Sequence, residues 1–333
     1  MSRHNSVDLD SPDRPFDNII NFRDVGRSVN QFCRKEILKE GVFFRSARLD
    51  DASERDKRRL AEELHIHTVI DLRSQYVPQN QKQKAETNTK NRTEHQMGTR
   101  KRRGEIAKSE SESESEKSNS TEKSPTDPIP SNPDEHLLHI PGSTRALISL
   151  TGKGFERALL SKLDWFTYLK TIGLATTGYR SDAVRLVCGS VMQPRGLTGL
   201  AQDTLDSSMA EIRAVFEILA CEESYPTLVH CTQGKDRTGL VVLLMLLLVG
   251  GVPTEAIVDD YSRSELELVS EFEERMEEIR AIGLGEDYTR CPPGFVGETT
   301  GYLEMRYGGV RGYLERVGVG FEMQERIRGK FLV

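Results

Sequence analysis

Cys231 and Arg237 stand six positions apart within His230-Cys231-Thr232-Gln233-Gly234-Lys235-Asp236-Arg237-Thr238-Gly239, and together they could attack a small anion and hold it. A free thiol titrates near 8.5, but at a helix N-terminus beside a cation the value falls to roughly 3.5–7.5, which makes Cys231 a thiolate nucleophile at neutral pH. Arg237 carries a planar fork of donors that can grip two phosphoryl oxygens at once. A turn between strand and helix directs its amides inward, where the positive end of the helix also points, so a dianion can be held without buried lysines. On this reading the phosphate cradle is Thr232, Gln233, Gly234, Lys235, Asp236, Arg237 and Thr238. Thr238 is placed to donate its hydroxyl to the sulfur, and Gly234 and Gly239 permit a close backbone approach. The chemistry is in-line attack on a phosphate ester, through a phosphocysteine that water then hydrolyses. It implies no metal and no cofactor.

Proton supply is less determined. A serine or inositol alkoxide needs a proton on leaving more than a tyrosine phenolate does. Asp236, inside the loop, is the first candidate for the general acid, against a role bonding neighbouring loop amides. Asp71, Asp203 and Asp206 are reserves. His230 either tunes the thiolate or orients the loop. Lys235 reads equally as positive charge at the pocket mouth or as a solvated loop lysine.

These groups need a strand before them and a helix behind them. Tyr225 to Val229 supplies an apolar strand, and Leu240 to Val249 a helix apolar enough to be buried. Upstream, Gly41–Phe44 and His67–Leu72 read as strands, Ser53 caps a helix over 54–64, and Leu137–Pro141 reads as a further strand. Phe155 to Leu174 carries apolar residues at helical spacing. Further helices are expected near 182–192 and 207–221, over 264–279 on a face of Leu266, Val269, Phe272, Met276 and Ile279, near 300–307 and 309–317, and at the C-terminus. Strands alternating with helices predict an α/β domain with a mainly parallel central sheet flanked by helices, the loop sitting at the carboxyl end of a central strand.

The loop resembles the signature of cysteine-dependent tyrosine and dual-specificity phosphatases, and its Gly-Lys-Asp-Arg variant that of the bacterial and fungal tyrosine/serine phosphatase family. Other stretches extend the resemblance: Asn21-Phe22-Arg23-Asp24-Val25-Gly26, Phe44-Arg45-Ser46 with Leu49, Val69-Ile70-Asp71-Leu72-Arg73-Ser74, Gly251-Val252-Pro253, Asp260-Tyr261 with Ser264, and Tyr307-Gly308-Gly309-Val310 with Tyr313-Leu314. Arg27 and Val77 depart from the pattern, standing where the family often has glycine and glutamate, and a long insertion follows Pro78. The resemblance implies a tyrosine-phosphatase-like fold and a phosphatase acting on phosphotyrosine, with phosphoserine and phosphothreonine as further substrates. It also implies that 155–192 is a helical, lid-like segment over the site. Arg23, Asp24, Arg45, Asp71 and Arg73 come from the shared motifs and read as a buried ionic network supporting the loop. In related loops a lysine at the position of Lys235 accompanies phosphoinositides, so a phosphoinositide phosphatase is the alternative enzyme. A silent phosphate-binding adaptor is the non-catalytic alternative.

Composition narrows the setting. The 333 residues carry a formal net charge of −6, which argues against nucleic-acid partners, since their backbone demands a positive surface. The longest apolar stretch, 240–252, is shorter than the ~20 residues a membrane span needs, so no transmembrane segment is expected. Five cysteines without metal-type spacing fit a reducing compartment. Cytoplasm is the expected location, with the nucleus open because of Lys101-Arg102-Arg103. Residues 1–15 read as a disordered tail, and 16–333 as one phosphatase domain interrupted by a disordered, low-complexity insertion over 79–135. Its stretch 90–124 is where a kinase or regulatory partner would act.

Overall fold

The computed structural model describes residues 15–73 and 140–333. The tail, the insertion and its partner stretch therefore lie, but for residue 15, outside the described residues.

Five short strands form the sheet: β1 (Arg23–Asp24), β2 (Phe43–Ser46), β3 (Thr68–Asp71), β4 (Thr144–Leu147) and β5 (Thr227–His230). Their spatial order is β1-β2-β5-β3-β4, all parallel except β1 at one edge. Side chains alternate across the sheet, so each central strand feeds two cores. Phe44, Leu228 and Val69 share one row and pack with Ile19, Leu60 and Ile66. Phe43, Val229 and Ile70 enter the larger cluster on the opposite face.

Helices α1 (Val25–Cys33) and α2 (Glu54–Arg58) precede β3, and α3 (Lys153–Leu160), α4 (Trp165–Thr176), α5 (Arg180–Val187), α6 (Gln193–Ser207) and α7 (Met209–Leu219) separate β4 from β5. After β5 come α8 (Asp236–Val249), α9 (Thr254–Glu267), α10 (Phe272–Ala281), α11 (Phe295–Tyr307), α12 (Gly309–Arg316) and α13 (Phe321–Phe331). Eleven of the fourteen residues of α8 are buried, as an all-apolar helix requires. With β5 central and α8 enclosed, the connecting loop has a rigid support on both sides.

The structure corrects several expected elements. The strand after the insertion is Thr144–Leu147, and Ile140 and Pro141 lie outside it. The helix expected over 155–174 is two, because the Asp164 side chain accepts from the amides of Phe166 and Thr167 (both 3.1 Å) and starts a new one. The helix expected over 264–279 is also broken. A single 3₁₀ turn at Val269–Glu271 separates α9 from α10, leaving Leu266 and Val269 exposed while Met276 and Ile279 stay buried. Helix α6 was not anticipated. Its start carries the Gly196 kink, where φ is 61°, and this interrupts the apolar period a sequence reading looks for.

Candidate active site

At the end of β5 the backbone passes through buried Cys231 and turns until α8 begins at Asp236. Each carbonyl of the turn is tied to the surrounding framework. Thr232 O accepts from Arg48 N (3.0 Å), Gln233 O from Asn21 Nδ2 (2.8 Å) and Gly234 O from Arg45 Nη2 (2.6 Å). A peptide plane whose carbonyl points outward turns its N–H the other way. Three successive tethers therefore aim the amides of Gln233, Gly234 and Lys235 at the centre of the loop, as an anion-binding nest requires. Gly234 has φ +66°, and a Cβ there would lie 2.2 Å from the Ser46 carbonyl oxygen, so the loop is seated directly on the end of β2. Gly239 serves the first turn of α8 in the same way, since a Cβ would meet the Tyr261 ring at 2.9 Å.

Arg237 reaches both sides of the turn. Its Nη2 lies 3.2 Å from Thr232 Oγ1 and its Nη1 3.4 Å from the Leu72 carbonyl, at the end of β3. The guanidinium is thus oriented by weak, neutral acceptors, which a bidentate phosphate would outcompete. Asp236 is about one-third exposed. Its Oδ1 is 3.6 Å from Lys235 Nζ and has no hydrogen-bond partner, so it is not bonded to loop amides.

Two ionic networks flank the loop. On the β2 side, Asp260 accepts from Arg23 Nε (2.8 Å) and pairs with Arg45 through Nη1, while Ser264 Oγ accepts from Arg23 Nη2 (2.9 Å). Burial, and then the charge of Arg45, lowers Arg23 to about 10, which leaves it protonated near neutrality. On the β3 side, Asp71 accepts from Arg73 Nη2 (2.9 Å), from the Arg73 amide (3.0 Å) and from Arg145, and Arg73 also pairs with Asp50. Burial would raise the Asp71 carboxyl, but His230, the Arg73 fork and the Arg73 amide together outweigh it and hold it well below the usual carboxylate range. His230 is buried 3.7 Å from Asp71, and its Nδ1 is 3.2 Å from the Cys231 carbonyl. Burial pulls its pKa below the ordinary value, with Asp71 opposing, so the ring stays neutral and orients the loop.

Four sequence readings change. Lys235 is neither at the mouth nor solvated: it is fully buried, and its Nζ donates to the carbonyls of Tyr288 (2.9 Å) and Arg290 (2.7 Å). Thr238 is buried, but its hydroxyl has no partner, so it makes no bond to the Cys231 sulfur. Asp24 stands outside the ionic networks and caps α1, accepting from Gly26 N at 2.9 Å. The reserve acids are occupied elsewhere: Asp71 as above, Asp203 by Arg195 (2.7 Å), and Asp206 by the hydroxyls of Tyr302 (2.8 Å) and Tyr307 (2.6 Å). Sequence reasoning had quoted Asn21, Asp260 and Ser264 inside motifs without assigning them a role, and it missed Arg48 and Arg145. Arg48 acts through its backbone, which leaves no side-chain signature. Arg145 is separated from Asp71 by the whole insertion.

The chain matches the tyrosine phosphatase family model over residues 14–139 and 189–333. It is also similar to a tyrosine-protein phosphatase of Nostoc commune, 31% identical over 133 residues that cover 37% of this chain and 45% of the relative. The triple specificity protein phosphatase PtpB of Mycobacterium tuberculosis is 30% identical over 145 residues, covering 39% of this chain and 51% of the relative. The chain thus spans about half the length of the curated relatives it matches.

Proposed function

The chain belongs to the tyrosine phosphatase family, and from that premise we propose that it hydrolyses phosphate monoesters of proteins through a phosphocysteine at Cys231. The observation that carries this reading is the set of outward-tied carbonyls at Thr232, Gln233 and Gly234, between a thiol at one end of the turn and a guanidinium at the other. The Cys231 thiolate attacks phosphorus, an S–P bond forms and the P–O ester bond breaks. Asp236 gives the leaving oxygen its proton, then takes one from the water that attacks phosphorus and releases the thiolate. Arg237 and the inward amides neutralise the equatorial oxygens as charge spreads over them.

Phosphotyrosine is the first substrate in this reading, with phosphoserine and phosphothreonine beside it. The mycobacterial relative carries the name triple specificity, and the partly exposed Asp236 carboxyl, which no loop amide engages, suits an alkyl leaving group that needs a proton. The phosphoinositide alternative loses the support a lysine at the mouth would have lent. The silent adaptor has little in its favour while Cys231 and Arg237 are both present. A thiolate nucleophile also favours a reducing compartment, and no described helix is long and apolar enough to cross a membrane. The test is turnover of para-nitrophenyl phosphate and of phosphotyrosine, phosphoserine and phosphothreonine peptides. Vanadate-sensitive hydrolysis that disappears in Cys231→Ser is expected, and hydrolysis that survives this substitution refutes the proposal.

A further inference from the structure

Helix α4 is amphipathic the wrong way round for a helix packed on a core. Trp165, Phe166, Tyr168, Leu169 and Ile172 cluster on one side and are exposed, Phe166 at 82% and Trp165 at 67%. The less exposed residues of the helix are Thr167, Thr171 and Leu174. The Trp165 and Tyr168 rings stack at 6.5 Å, and Tyr179, at the N-cap of α5, and Val184, in its middle, are exposed as well. An apolar patch of this kind marks an interaction site.

The surroundings select the occupant. Residues 153–187 hold six basic side chains (Lys153, Arg157, Lys162, Lys170, Arg180, Arg185) against three acidic ones, in a chain whose net charge is −6. The apolar face of α4 itself carries no charge; Lys170 and Arg180 are exposed in the same stretch, and so are Asp164 and Asp182, with the balance over 153–187 remaining basic. The stretch from 79 to 136 offers little to cover it, because its only large apolar residues are Met97, Ile106 and Ile129. At twelve residues α4 is about 18 Å long, too short to span a bilayer but suited to lying in its interface. A protein partner would need a matching apolar groove. A lipid surface needs only apolar depth, aromatic rings at headgroup level and a basic rim, and all three are present.

We infer that α4 and the start of α5 form a docking surface for an anionic lipid membrane, with Trp165, Phe166, Leu169 and Ile172 entering the interface and Lys170 and Arg180 meeting the headgroups. The inference is independent of the phosphatase reading, because its test reads binding and not turnover. Trp165 is the single tryptophan of the chain, so its emission reports this face alone. The full-length protein is titrated with vesicles of phosphatidylcholine, and with vesicles of equal parts phosphatidylcholine and phosphatidylserine. A shift of Trp165 emission to shorter wavelength is expected with the anionic vesicles, weaker with the neutral ones and partly reversed by salt. Phe166→Ser with Leu169→Ser should lower the partition coefficient at least ~10-fold, from lost apolar burial, and Lys170→Glu with Arg180→Glu by about 10-fold or more. Denaturation midpoints of both should match the parent's, which separates lost binding from lost fold. Emission that ignores both vesicle types, or serine variants that bind like the parent, would overturn the inference. A shift produced by raising protein concentration alone, with a doubled mass in light scattering, would overturn it in favour of a second copy of the chain.

Discussion

Arg45 joins the turn between Cys231 and Arg237 to a buried ion pair: its Nη2 donates to the Gly234 carbonyl at 2.6 Å while its Nη1 pairs with Asp260. The guanidinium is fully buried and Asp260 nearly so. The same carboxylate holds Arg23, so one aspartate balances two arginines, and one of these fixes a loop peptide. Removing it leaves two buried cations without the counterion they share. Asp260→Ala should therefore destabilise the fold by about 3–5 kcal/mol. Arg45→Lys keeps the charge but not the planar fork, so it should lower kcat/KM by ~10²-fold through a loosened Gly234 peptide. Denaturant unfolding and steady-state kinetics on the two variants check these outcomes.

Gly234 gives a second test, with an internal control. Alanine there would require φ of +66° and would drive its Cβ to 2.2 Å from the Ser46 oxygen. The left-handed conformation alone costs about 1–2 kcal/mol, and the displaced turn should reduce activity ~10²-fold. Gly251 has φ of +73° but open space around its Cβ position. Gly251→Ala should therefore lose about 1–2 kcal/mol of stability and keep its activity. Equal losses of activity in the two variants would show that the seat on β2 does not matter.

Asp236 should separate substrates by their leaving group. If its carboxyl delivers the proton, Asp236→Asn slows hydrolysis of phosphoserine peptides by about 10²–10⁴, and para-nitrophenyl phosphate much less, because a nitrophenolate leaves unaided. The ratio of the two rates in one variant measures the acid directly, since any damage to the turn lowers both together. Equal slowing would remove Asp236 from the role.

The buried lysine offers a fourth. Because Lys235 Nζ is bonded to the Tyr288 and Arg290 carbonyls, Lys235→Met should cost about 1–3 kcal/mol from the acceptors it abandons. The salt dependence of KM should not change, as it would for a cation at the mouth. Denaturation midpoints and KM at low and high salt distinguish the two.

Legibility in the sequence followed the kind of atom involved. Cys231, Asp236 and Arg237 carry side-chain chemistry at fixed spacing on one continuous segment, so the candidate site could be proposed before any fold was known. The central sheet could be read for a similar reason, since Val69-Ile70 and Leu228-Val229 are short apolar runs buried on both faces. Lys235 could not. Its partners are main-chain carbonyls some fifty positions away, and a lysine in a polar loop looks the same whether it meets solvent or a carbonyl. The tethers from Arg48 N and Asn21 Nδ2 are hidden for the same reason. The exposure of the α4 face was not legible, because apolar residues at helical spacing do not reveal whether a core or something outside the chain receives them.

His230 and the buried carboxylates of the two flanking networks predict a two-step loss of stability in acid. Burial lowers the His230 pKa below its ordinary 6.5, so between the two values the unfolded chain binds a proton that the folded one does not. Stability from this group is complete above about pH 7 and declines as pH falls through the mid-sixes. Asp71 and Asp260 are also depressed, but from an ordinary 3.8. Their contribution is intact above about pH 4–5 and disappears only below it, as these carboxylates begin to take up protons. Urea midpoints measured from about pH 8 down to about pH 3 should show a shallow upper step and a steep lower one. His230→Asn should flatten the upper step alone. If the upper step survives that substitution, some group other than His230 takes up the proton.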